Sequence, residues 1–148
     1  MSRVAAILAI TLFPALAPAQ AVSSTQHVLP WFVDGRIGAG GGYRTELVIS
    51  NPNFVYASCS LQLGGLAARF EGLNGPLGGP TATLNFPVFP AGYEILRTLA
   101  AQTLGTGYAI LNCSTDVYVT ERFALFAGDN ISSTVAEAAP QAGHPIDT

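Results

Sequence analysis

The chain has 148 residues, with nine acidic residues against six basic ones and a formal net charge of −3. Every basic residue is Arg and no basic stripe with interleaved aromatic residues occurs, which excludes the usual electrostatic basis for binding nucleic acid or anionic membranes. Charged residues make up 10% of the chain, against about 25% in an ordinary domain. We therefore expect a largely neutral surface.

The first 21 residues have the layout of a cleavable secretory signal peptide. Arg3 supplies a positive start, an apolar stretch covers 4–16, and two small-x-small sites allow cleavage after Ala21 or Ala19. The apolar stretch is too short to span a bilayer. We predict a secreted or periplasmic protein in which 22–148 form a single β-sandwich domain with loose termini. The Arg-only, Ala/Gly/Pro-rich composition is typical of a GC-rich bacterium.

The rest of the chain shows the pattern of strands separated by turns. Pro30 restricts the first strand to a sheet edge or a bulge, and the glycine-rich segment 34–42 predicts a loop. Asn51-Pro-Asn53 predicts a turn in which the Asn side chains bond nearby backbone, and Ser114-Thr-Asp116 predicts another. The predicted strands, in chain order, cover 27–33, 43–50, 57–63, 66–71, 81–89, 93–99, 106–113, 117–126 and 131–136.

Seven to nine short strands with regular turn signals predict an all-β fold, specifically an Ig-like antiparallel β-sandwich. Cys59 and Cys113 are the two cysteines, and each lies on the apolar face of a strand. In an exported chain this favours one intramolecular, inter-sheet disulfide, although pairing between two chains stays open. Trp31 is the predicted core anchor. Residues 22–26 and the tail from Pro140 are predicted to be frayed or loose.

Several segments resemble a family of secreted bacterial Ig-like β-sandwich domains, most of whose members are uncharacterised. The likeness lies in a glycine-rich opening before an aromatic-x-Thr strand, an Asn-Pro turn, and a glycine-aromatic strand late in the chain. The resemblance implies the fold and the location, and it carries over no functional residue. The matching segments are 40–45, 47–53, 107–111, 123–126 and 137–140.

Motifs for catalysis or cofactor binding are missing from the sequence. The glycines of 38–42 precede a strand rather than a helix, and the chain has no Lys, which argues against a phosphate loop. His27 and His144 lie near the chain ends and are predicted to be surface residues rather than metal ligands. There is no Gly-x-Ser-x-Gly motif, and solvated strand positions account for the carboxylates. We predict a non-catalytic protein without cofactor or metal.

The adjacent residues Glu121 and Arg122 lie inside a strong strand pattern. Since successive strand residues face opposite ways, one of the two is expected to point inward. A cross-strand ion pair involving Arg44 or Glu46 is the expected arrangement.

Two tyrosines form the candidate binding surface. Tyr56 follows the Asn-Pro-Asn turn and Tyr118 lies between Val117 and Val119, and both are predicted to be exposed. We predict a secreted, non-catalytic module that binds a neutral extracellular protein or a polysaccharide, with neither nucleic-acid binding nor membrane insertion. The alternative is a self-assembling structural subunit, pilin-like or matrix-forming, in which 22–29 would add to a neighbour's sheet edge.

Overall fold

In a computed structural model of the chain, all described elements of regular structure are β-strands, and every strand pairing is antiparallel. The described residues are 22–38, 40–100, 103–127, 130–138 and 141–142, with the backbone alone from residue 127 onward. The strands are β1 (Ser24–Ile37), β2 (Gly41–Asn51), β3 (Ala57–Gly64), β4 (Phe70–Gly72), β5 (Gly75–Pro76), β6 (Thr83–Val88), β7 (Gly92–Thr98), β8 (Gly105–Ala127), β9 (Asn130–Ala138) and β10 (Gln141–Ala142).

The sheet is curled because β8 changes partners along its length. Residues 105–113 of β8 pair with β1 and β3, whereas residues 118–127 pair with β2 and β9. We call β10, β1, the first part of β8, β3 and β6 the disulfide half. We call β9, the second part of β8, β2, β7, β4 and β5 the arginine half. The two halves are continuous through β8 and through the hairpin of β1 and β2.

The buried faces of both halves contribute to one hydrophobic cluster. Alternate residues of each strand point to the same side of a sheet, and on β2 and β3 those residues include the buried Leu47, Ile49 and Leu61. Phe32 of the disulfide half and Phe70 of the arginine half meet with ring centroids 6.2 Å apart. The inner faces of the halves are therefore packed against each other.

The strands are longer and more numerous than the sequence pattern predicts. The expectation of seven to nine short strands is wrong, since β1 has 14 residues and β8 has 23. At the predicted turn over 114–116, β8 continues and bulges instead. Asn112 is opposite Gln26 and Val117 is opposite Ser24, so the segment of β8 between these pairs is longer than the segment of β1 that it faces. The predicted loop over 34–42 is also shorter, because β1 continues to Ile37 and β2 begins at Gly41.

Trp31 lies on the surface, with 70% of its area exposed, so its prediction as a core anchor is wrong. The ladder shifts register between Leu29 and Phe32, which are opposite Ala109 and Gly107. Of the two arrangements predicted at Pro30, a sheet edge or a bulge, the structure shows the bulge. Because of the extra residue, Leu29 and Phe32 both face the core and Trp31 is turned outward.

The N-terminal part of β1 is an integral strand. Residues 24–26 pair with β8, although 22–26 were predicted to be frayed. His27 is buried, not exposed as predicted, and its Nε2 lies 2.9 Å from the Val117 carbonyl oxygen and 3.1 Å from that of Ser24. The ring thereby bridges the β8 bulge. At the other terminus, Gln141 and Ala142 also pair with β1. The predicted signal peptide and His144 lie outside the described residues.

Cys59 and Cys113 form the predicted disulfide within the chain. They are directly opposite each other on neighbouring strands, β3 and β8, with their Cα atoms 4.1 Å apart. The bond is therefore a cross-strand link inside the disulfide half, and its prediction as an inter-sheet link is wrong. The inward orientation of Cys59 is confirmed, since that residue is 4% exposed and belongs to the core cluster.

Candidate functional site

One end of the arginine half carries most of the exposed aromatic side chains of the described residues. Phe54, at 90% exposure, and Tyr56 lie in the connection between β2 and β3. Phe89 lies between β6 and β7, Tyr93 near the start of β7, and Tyr118 in β8. All are exposed, and we call this set the aromatic end. It includes both tyrosines that the sequence singles out.

Asn51 organises the backbone beneath the aromatic end. Its side chain is buried, and Nδ2 donates to the Val55 carbonyl at 2.7 Å and to the Phe89 carbonyl at 3.2 Å. Its Oδ1 accepts from the Asn53 N–H at 3.0 Å. The prediction that the Asn-Pro-Asn turn bonds nearby backbone is confirmed. These bonds hold two separate connections side by side, so the aromatic residues on them have a fixed framework.

The exposed rings are arranged in two groups. The rings of Tyr56 and Phe89 are in contact, with centroids 5.3 Å apart. Tyr93, Ser50 and Tyr118 are successive partners across β7, β2 and β8. Since neighbouring strands lie about 4.8 Å apart, the two outer tyrosines start about 10 Å from each other on one face. The candidate residues Tyr56 and Tyr118 are therefore at the same end but in different groups.

The aromatic end is almost free of charge. Segments 51–56 and 89–92 contain no charged residue, and Asp116 is the single charge in 114–117. The Asp116 carbonyl accepts from Asn53 Nδ2 at 2.7 Å, which fixes that segment against the turn. A ligand at this surface would meet ring faces, amides and hydroxyls.

A second apolar surface lies at the opposite end of β2. Trp31 borders a groove of about 330 Å³ that is also lined by Val33, Tyr43, Leu104, Thr106 and Phe123. The lining is apolar throughout, so the groove offers little to orient a polar ligand. Sequence reasoning missed this groove because it depends on the bulge that turns Trp31 outward.

Asp34 is a buried carboxyl group with a structural role. Its Oδ1 accepts from the Ala100 N–H at 2.9 Å, and Ala100 has a positive φ of 49°. Burial raises the pKa of Asp34, while hydrogen bonds from Thr98 and Ala100 and the charge of Arg44 act in the opposite direction. The carboxyl group thus stabilises an unfavourable backbone conformation that L-residues rarely adopt.

The strand pattern predicts that one member of the Glu121-Arg122 pair points inward, and the structure shows that it is Glu121. It is fully buried opposite Leu47, and neither carboxylate oxygen has a hydrogen-bond partner. Burial raises its pKa from 4.5 to about 8. Arg122 points outward, and its Nη1 lies 3.8 Å from Glu46 Oε1. The expected cross-strand ion pair is therefore formed with Glu46 rather than with Arg44.

Within the described ranges, no group of His, Cys, Asp and Glu side chains is placed to hold a metal ion. The same part of the chain contains no helix long and apolar enough to cross a membrane.

Comparison with known proteins gives no further lead to the site. No protein family, no curated protein and no solved structure matches the chain.

Proposed function

We propose that the protein is a non-catalytic binding module that holds a neutral polysaccharide on the aromatic end. The observation that carries the proposal is the concentration of exposed rings on a nearly uncharged surface whose backbone is held by hydrogen bonds from Asn51. Exposed apolar patches on soluble proteins mark interaction sites more often than chance. The aromatic end contains Phe54, Tyr56, Phe89, Tyr93 and Tyr118, all exposed.

The chemistry of this surface favours sugars over charged ligands. The C–H faces of a pyranose ring stack on aromatic rings, and tyrosine adds a hydroxyl that can bond the sugar's own hydroxyls. Tyr93 and Tyr118 flank Ser50 on one sheet face, and their separation of about 10 Å is close to the length of a disaccharide. Sugar rings two positions apart in a neutral chain would therefore match the spacing of the two tyrosines.

The same proposal includes the cellular location and the finer fold class. The disulfide is typical of an oxidising compartment, and together with the predicted leader it supports a secreted or periplasmic protein. The two halves share one core, which supports a two-layer sandwich. The disulfide joins neighbouring strands, whereas in antibody domains it links the two sheets. An Ig-like classification therefore rests on the resemblance alone.

The alternative, a self-assembling subunit, has less support. Its predicted donor segment, 22–29, largely coincides with the start of β1, which already pairs with β8 and β10 of the same chain. Light-scattering mass of the oxidised protein on a sizing column discriminates the two functions. We expect a monomer, and a large or polydisperse species would favour the subunit.

Binding to insoluble neutral polysaccharides, namely cellulose, chitin and starch, tests the proposal directly. We expect the wild-type protein to be depleted from solution by at least one of them. Tyr93→Ala and Tyr118→Ala should each weaken this binding about fivefold, which corresponds to about 1 kcal/mol for a lost stacking contact. Tyr108→Ala is the matched control, because Tyr108 is 51% exposed on β8 but pairs with β3 in the disulfide half.

Two results would overturn the proposal. One is that none of the three polysaccharides retains the wild-type protein. The other is that Tyr108→Ala weakens binding as much as Tyr118→Ala.

A further inference from the structure

The outer face of the arginine half carries most of the chain's arginines. The strand pairings also place three acidic residues on it, namely Glu46, Glu71 and Glu137. The chain has six Arg residues and a net charge of −3. Four of the six lie on or beside this face, on β1, β2, β7 and β8. Residues directly opposite each other on neighbouring strands share a face, and the pairings connect Arg36 to Gly42 and Glu46 to both Arg97 and Arg122.

Two of these arginines are paired with Glu46. Arg97 Nε lies 2.5 Å from Glu46 Oε2, and Arg122 Nη1 lies 3.8 Å from Glu46 Oε1. One carboxylate therefore serves both guanidinium groups, one at each of its oxygens.

The other two arginines converge on the ring of Phe126. The guanidinium carbon of Arg44 lies 4.7 Å from the ring centroid, and that of Arg36 lies 5.9 Å from it. Gly42 makes this arrangement possible, because a Cβ at that position would lie 2.7 Å from Phe126 Cζ. The ring thus occupies the space above Gly42 and is itself buried. Both cations are within the distance at which a ring face attracts them.

Neither guanidinium of this pair has a hydrogen-bond acceptor among the described residues, although the charge of Arg44 also acts on the buried Asp34. Both ion pairs of the described chain involve Glu46, and no hydrogen bond from the Arg36 or Arg44 side chain is found there. The Arg44 Nε–H is buried without a partner. Each guanidinium carries five N–H donors in a planar fork that matches the oxygens of carboxylate, sulfate and phosphate.

We infer that Arg36 and Arg44 form a binding site for an oxyanion, with Phe126 as the platform that holds the two guanidinium groups beside each other. Two like charges beside one ring repel, and an anion that bridges them removes the repulsion while it supplies the missing acceptors. The site does not depend on the proposed function. Arg44 and Ser50 are six residues apart on β2, so the site lies about 20 Å from the tyrosine row of the aromatic end.

The anion is either free or part of an acidic polymer. The experiment titrates the folded, oxidised protein with sodium sulfate at constant ionic strength set by sodium chloride. Binding is followed by the NMR signals of the arginine Nε–H groups and by calorimetry. We expect Arg36 and Arg44 to shift together and to saturate, and Arg36→Gln or Arg44→Gln to weaken sulfate binding at least tenfold. Arg69→Gln, at an exposed position just before β4 and away from the Phe126 ring, removes one charge and is the control.

Lysine variants separate the geometry of the site from its charge. Arg44→Lys keeps the charge but loses the planar fork, so we expect affinity between that of the wild type and that of Arg44→Gln. If Arg44→Gln fails to fold, the exposed Arg36→Gln alone decides the question. The inference is overturned if sulfate moves no arginine signal beyond the effect of chloride, or if Arg69→Gln weakens binding as much as Arg36→Gln.

Two further titrations identify the source of the anion. Sodium acetate tests a free carboxylate, and polygalacturonate and a sulfated polysaccharide test polymer-borne groups. A polymer that binds at least tenfold more tightly per anionic group than the free ion, with the same loss in Arg36→Gln, assigns the site to an acidic polymer. Equal affinity per group assigns it to a free anion.

Discussion

Replacing Glu121 with Gln should remove most of the pH dependence of the protein's stability. Glu121 is 0% exposed, and neither of its carboxylate oxygens has a hydrogen-bond partner. Burial without a partner disfavours the charged form, which is why its pKa rises from 4.5 to about 8. Glutamine has the same shape and cannot ionise, so the substitution removes only the titration.

The direction of the effect follows from proton binding in the two states. Below pH 4.5 both the folded and the unfolded forms hold the proton, and stability does not depend on this group. Between 4.5 and about 8 the folded form keeps the proton that the unfolded form has lost. Stability then falls as pH rises, by about 1.4 kcal/mol per pH unit. Above pH 8 the loss levels off at about 5 kcal/mol, which is comparable with the whole stability of a marginal domain.

Urea unfolding at pH 5, 6.5 and 8 measures the effect. From the two pKa values of Glu121 we expect the wild type to lose about 3.5 kcal/mol between pH 5 and pH 8 through this group alone. Asp34 contributes in the same direction, since burial also raises its pKa. Because Asp34 is present in both proteins, the difference between wild type and Glu121→Gln isolates Glu121. Parallel stability curves for the two proteins would refute the reasoning, as would a wild type that gains stability from pH 5 to pH 8.

Two structural predictions concern the disulfide and a glycine. The bond between Cys59 and Cys113 closes a loop with a sequence separation of 54, so the double variant Cys59→Ala/Cys113→Ala should lose about 4 kcal/mol of stability. Urea unfolding of the oxidised wild type and the variant measures the loss, and an unchanged midpoint would contradict it. Gly42→Ala should cost about 1–3 kcal/mol through overpacking, because its Cβ would clash with the Gly35 carbonyl oxygen. Gly40→Ala, where a Cβ meets nothing within 4 Å, is the control, and an equal shift in melting temperature for both variants would contradict the steric account.

Alternation along the strands was the reliable signal in the sequence. On β2 it separates Thr45, Leu47 and Ile49, which are buried, from Glu46, which faces outward. It also predicts that Glu121 and Arg122 point to opposite sides. These predictions succeed because side-chain direction in a strand follows from the backbone alone.

The predictions that failed depend on where two strands lose register. The bulge at Pro30 reverses the orientation of Trp31, and the bulge after Asn112 turns a predicted turn into the middle of β8. Proline signalled the first bulge, but no sequence feature shows which of the neighbouring residues takes the extra position. The prediction that His27 is exposed failed for the same reason, since its buried position exists only beside the second bulge.

For the candidate sites too, the sequence indicates single residues, whereas the fold decides which of them come together. The sequence indicates Tyr56 and Tyr118 as exposed aromatics, but only the fold brings them to one end with Phe54, Phe89 and Tyr93. That grouping depends on Asn51, whose side chain joins two connections that are far apart in the sequence.

By itself, the sequence determined that the protein is all-β and which residues of a strand share a face, and it favoured pairing of the two cysteines within the chain. Each of these follows from local patterns or from composition. Only the tertiary structure decided that the disulfide links neighbouring strands, that Glu121 lies buried without a partner, and that Arg36 and Arg44 share the ring of Phe126. The physical reason is that strand order and register set these contacts, and both depend on pairings between residues distant in sequence, which no local pattern records.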